Sequence, residues 1–97
     1  MEDMKFFIDT HDKENKTFPE EIDEAGLAGF YELYEKACKE EGVVSIKIHA
    51  GLSEGRAFCV NMAPDAEAVK RVHDRVGLPF DTITEVKSIS PENLFQK

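Results

Sequence analysis

Apolar and polar positions alternate along four stretches of the chain and recur at helical spacing along two others. Met4 to Thr10 (Met-Lys-Phe-Phe-Ile-Asp-Thr) reads as a short, aromatic-rich strand, and His11 to Lys16 as a polar loop. Thr17-Phe-Pro-Glu20 matches a capping box, in which Thr17 accepts from a first-turn amide and Glu20 reaches back. Pro19 is tolerated there because first-turn amides lack helical partners. Leu27, Phe30, Tyr31, Tyr34, Ala37 and Cys38 then recur at helical spacing, and Gly42 stops the helix. Gly26 and Gly29 weaken its early part and leave room for a later start. Val43 to Ala50 is a strand with strict alternation from Val44. Gly51 to Gly55 is a turn, and Arg56 to Met62 is a third strand. Pro64 and Asp65 open a second helix whose buried stripe is Val69, Val72, His73 and Val76. Gly77 ends it, Pro79 prevents its resumption, and Thr82 to Ile89 is the last strand.

The order β-α-β-β-α-β predicts an α+β, ferredoxin-like domain. Two right-handed crossovers place both helices on one face of a four-stranded antiparallel sheet of strand order 4-1-3-2. Residues 1–97 form one domain, with a core over 4–89 and a tail over 90–97. The tail carries Leu94 and Phe95, which could dock on the body or on a second subunit. The other sheet face is left bare and must be covered or used. A homodimer closed through that face, a dimeric α/β barrel, is the expected solution.

Composition narrows the partners. The formal net charge of -8 disfavours nucleic acid and anionic membranes, which both require a basic surface. No apolar run approaches membrane-spanning length, and the first residues lack the basic and apolar regions of a signal peptide. Cys38 and Cys59 are the two cysteines, too few for a disulfide framework. A cytoplasmic protein with both thiols free is the expectation.

Strand parity brings candidate chemistry together. On the first strand Phe6 and Ile8 share one face, while Phe7, Asp9 and His11 share the other. On the second, Val44, Ile46 and Ile48 oppose Ser45, Lys47 and His49. If the all-apolar sets meet the helices, Asp9, His11, Lys47 and His49 lie on the bare face. A hairpin centred near Glu54 sets His49 opposite Cys59, with Cβ atoms about 4.5–5.5 Å apart. His11, His49 and Cys59, with Asp9 one step below His11, then converge across three strands. Imidazole, thiolate and carboxylate together suit a divalent transition metal. A one-residue slip in the hairpin would instead turn Cys59 toward the helices. His73, on the apolar helix stripe, reads as a packed core histidine, and Cys38 as a helix core residue. The acids Glu20, Glu21, Asp23 and Glu24 read as a helix-start charge pattern.

Phe58-Cys-Val-Asn-Met-Ala-Pro-Asp-Ala-Glu-Ala-Val, followed by Val76-Gly-Leu-Pro-Phe-Asp-Thr-Ile-Thr-Glu-Val86, resembles the small nickel-responsive or nickel-binding α+β proteins, a domain-of-unknown-function family. The resemblance runs from Lys5 to Ile89 and is strongest over 57–86. It implies a ferredoxin-like homodimer and nickel as the metal, whereas the proposed ligands rest on strand geometry. The reading that follows is a homodimeric metal-binding protein for sequestration or sensing, without catalysis. The alternative is a dimeric α/β-barrel enzyme or binding protein with a small organic ligand on the sheet face.

Overall fold

The computed structural model describes residues 3–92. Its elements are strand β1 (Lys5–Asp12), a 3-10 turn (Lys13–Asn15), helix α1 (Glu24–Glu40), strands β2 (Val44–Gly51) and β3 (Arg56–Ala63), helix α2 (Ala66–Val76) and strand β4 (Thr82–Val86). The strands form one antiparallel sheet in the order β2-β3-β1-β4, the topology that the element order predicts. Tyr34, Ala37 and Cys38 from α1 and Ala68, Val69 and Val72 from α2 pack with Phe7, Val43 and Ala63 in one core. Both helices therefore cover the same sheet face, as in ferredoxin-like folds.

Helix α1 starts later than its capping-box signal. Asp23 is the N-cap, and its side chain accepts from Gly26 N at 2.8 Å. Thr17 instead accepts from Asp12 N (2.7 Å) and donates to Asp81 Oδ1 (2.8 Å). A hydroxyl can serve a turn as well as a helix start, and here it ties two loops together. Asp65 caps α2 by accepting from Ala68 N at 2.9 Å. Gly77 ends that helix in the left-handed region, at φ +66. β4 stops at Val86, short of Ile89, and Leu94 and Phe95 lie outside the described residues.

Three placements correct the sequence expectation. First, β1 is turned over: Phe7, Asp9 and His11 are buried beneath the helices, while Phe6 and Ile8 lie on the open face. Parity separates the two sets but does not say which is inside, since each carries an aromatic. Partners decide it, because Asp9 finds two histidine donors and an amide donor on the helix side. Second, β2 bulges between Ser45 and Lys47. A bulge inserts one residue and switches parity, so Val44 faces out with Met62 and Ile48 faces in with Cys59. Third, the hairpin register differs by one from that expected. Ile48 pairs with Cys59, and His49 pairs with Phe58. The turn spans 52–55 and closes with Gly55 at φ +71, whose amide donates to Gly51 O at 2.8 Å.

Candidate metal centre

Asp9 sits in the middle of β1, where the strand is flanked by β3 and β4 and roofed by α2. Its side chain is fully buried. A carboxylate taken out of water needs charge and hydrogen bonds in its place. His11, two residues on and therefore on the same face, brings Nε2 to 2.8 Å from Asp9 Oδ2. His73, from the buried stripe of α2, brings its own Nε2 to 2.9 Å from the same oxygen. The two rings stack with centroids 5.4 Å apart. Asn61 on β3 donates through Nδ2 to Asp9 Oδ1 at 2.9 Å and to the Tyr34 hydroxyl at 2.9 Å.

The far sides of both imidazoles are fixed by backbone. His73 Nδ1 donates to Val69 O at 2.8 Å. His11 Nδ1 donates to Pro79 O at 2.8 Å and approaches Thr17 O at 3.2 Å. The loops carrying these carbonyls are joined by Asp81, which accepts from Thr17 Oγ1 and from Asn15 Nδ2. Each ring thus faces acceptors on both sides. A neutral imidazole has one N–H and satisfies one of them, whereas a doubly protonated ring satisfies both.

For His73 the electrostatics agree with this count. Burial alone would raise the Asp9 pKa, but hydrogen bonds from His11 and His73 and their charges outweigh it, and the pKa is lowered. Burial alone would lower the His73 pKa, and the hydrogen bond and charge of Asp9 outweigh it in turn, so it is raised. Cys59, paired with Asp9 across the β1–β3 ladder, has its thiol pKa pushed far up by burial, with the Asp9 charge adding to the shift. The Cys38 thiol is raised to about 12, mainly by burial. Both therefore stay protonated near neutrality.

One donor atom each from Asp9, His11 and His73 lies within 4.8 Å of the others. The set fits a divalent transition ion on its chemistry. Two Nε2 atoms and a carboxylate oxygen converge, and each Nδ1–H is held by a backbone carbonyl. That outer bond fixes the tautomer and ring angle of a metal-ligating histidine. An ion at the convergence point would replace the contacts between the two Nε2 atoms and Asp9 Oδ2. Nitrogen and oxygen donors in this mixture suit nickel, zinc or copper rather than magnesium or calcium.

Residues 7–86, which include all three donors, match the family described as "Nickel responsive protein SCO4226-like". The chain belongs to this family. The crystal structure of SCO4226 from Streptomyces coelicolor A3(2) superposes on it with a TM-score of 0.75 at 29% sequence identity. The match covers 88% of this chain and 99% of that one. No curated protein matches the chain.

Within this SCO4226-like chain, the four residues predicted as ligands divide between two faces. Asp9 and His11 come together, on the helix side of the sheet and not on its bare face. Cys59 lies on that side too, next to Asp9, but outside the three donors that share one convergence point. His49 is apart from them, exposed on the open face beside Phe58. His73 is the residue that sequence reasoning set aside. Its signal was available: a histidine on a buried helix stripe needs a polar partner, and Asp9 is the one acid within Met4–Thr10. Beside His11 and Cys59 an apolar recess of ≈ 70 Å³ is walled by Phe18, Ile22, Phe30 and Leu78.

Proposed function

We propose that the protein binds a divalent transition ion of the nickel type at Asp9, His11 and His73, and that it works as a homodimer that sequesters or senses the ion. The observation that carries this reading is the pair of histidines whose Nε2 atoms meet on Asp9 Oδ2 while their Nδ1 atoms are held by backbone carbonyls. Membership of a nickel-responsive family supports the choice of ion. Cys59, as the S–H neighbour of Asp9, belongs to the surroundings of the ion, and His49 belongs to the dimer face. The open face supports the dimer, because Phe6, Ile8, Phe58, Val60 and Met62 crowd onto it by strand pairing. Two free thiols suit a reducing cytoplasm. Among the described residues, no helix is long and apolar enough to cross a membrane.

Calorimetric titration with Ni²⁺ and Zn²⁺ tests the site. Wild type and His49→Ala are expected to bind alike, and His73→Gln to lose most of the affinity. The reading fails if His73→Gln binds as well as wild type. It also fails if wild type shows no binding tighter than roughly 100 μM, which corresponds to only about 5–6 kcal/mol.

A further inference from the structure

Among the described residues, one buried side-chain polar atom finds no hydrogen-bond partner: Asn61 Oδ1. Such an orphan is costly, on the order of 1–3 kcal/mol, and calls for a physical reason. The amide cannot be turned to relieve it. Nδ2 lies 2.9 Å from Asp9 Oδ1, and a flip would set a carbonyl oxygen against a carboxylate oxygen. The Tyr34 hydroxyl accepts from Nδ2 and makes no hydrogen bond to Oδ1. Asn61 is fully buried, so bulk water does not reach the orphan.

We propose that Asn61 is a positioning residue of the metal centre with two tasks. Its N–H holds Asp9 Oδ1, so that Asp9 offers the ion a single oxygen, Oδ2. Its free carbonyl oxygen is the acceptor for a water that the ion carries. The inference rests on the metal reading above. Three protein donors leave positions open on a six-coordinate ion, and water fills such positions in open sites. A metal-bound water is a strong donor, because the ion draws charge from its O–H bonds. In this protein the buried acceptor without a donor belongs to the same amide that holds Asp9 Oδ1.

The test uses Co²⁺, whose visible d–d bands report coordination number, with Asn61→Leu, which removes donor and acceptor while filling the same space. The expected result is binding weaker by roughly 10–100-fold, the usual range for outer-shell partners, together with altered d–d bands. A merely structural role would lower the melting temperature and leave the bands of the loaded protein unchanged. That result, or wild-type affinity and bands, overturns the proposal. Should Asn61→Leu fail to fold, wild type decides. With Cu²⁺ bound in ¹⁷O-enriched water, electron resonance lines broaden if the ion carries water, and unbroadened lines overturn the proposal. If wild type binds neither ion, the metal reading itself falls. If wild type binds and Asn61→Leu matches it, the role of Asn61 alone falls.

Discussion

A carboxylate with no access to water loses several kcal/mol of solvation, and Asp9 recovers it from two imidazoles and an amide. The signs of the pKa shifts set a pH window. The His73 pKa is raised above 6.5, so its contribution to stability is complete below 6.5 and is lost as pH rises through the folded value. The Asp9 pKa is lowered below 3.8, so its contribution is present above 3.8 and is lost as pH falls through the folded value. In chelator, the stability advantage of wild type over His73→Gln is therefore expected to be greatest between pH 3.8 and 6.5 and to shrink in alkaline buffer. Urea denaturation of both proteins at pH 5 and pH 9 checks this, and an advantage that grows with pH contradicts it. Added Ni²⁺ should reverse the trend, because the ion competes with protons for Nε2. At this scale Asp9 and His11 are legible in the sequence as neighbours on one strand face. Strand parity alone does not name their partner, because it carries no information about which helix residue lies overhead; the signal for His73 is its own place on a buried helix stripe.

At the scale of elements, the chain's punctuation is its clearest text. Asp65, Gly77 and Pro79 delimit α2 within a residue of where they stand in the sequence. Gly77 holds φ +66, and a Cβ built there would meet nothing within 4 Å. Gly77→Ala should therefore cost about 1 kcal/mol from backbone strain alone, read as a lower midpoint in chemical denaturation. An unchanged midpoint would show that the left-handed cap carries no weight. The register of β2 is the opposite case. The run Val44-Ser-Ile-Lys-Ile-His49 alternates without a break, yet one residue is extruded between Ser45 and Lys47. The bulge lets Ser45 reach the Tyr31 hydroxyl at 2.9 Å and still turns Ile48 inward. Both contacts are tertiary, so neither leaves a trace in local periodicity. The four-residue turn sets His49 opposite Phe58, one place away from Cys59, and the bulge lies farther along the strand.

For the whole molecule, the sheet has two unlike faces. One is closed by helices over a charged cluster. The other presents aromatic and aliphatic side chains, with Phe58 44% and Val44 50% exposed. In a chain of 97 residues that leaves a modest core and an apolar surface of the kind that partners cover. Sedimentation equilibrium at micromolar concentration is expected to show a dimer for wild type and a monomer for Phe58→Lys. Ni²⁺ affinity should survive in the variant, because the donors lie on the other side of the sheet. A monomeric wild type would end the dimer proposal, whereas a dimeric variant would move the interface elsewhere.

The carbonyl clamp on His11 has a consequence for time as well as for strength. Thr17 O and Pro79 O come from two loops tied through Asp81, and together they close over a histidine that is 3% exposed. On the proposed reading, an ion that leaves only when His11 swings away would depart no faster than those loops part, and loop opening ranges from nanoseconds to seconds. Retention then becomes a property of the latch and affinity a property of the ligands, so either can change without the other. A competing chelator, however strong, would wait on the door.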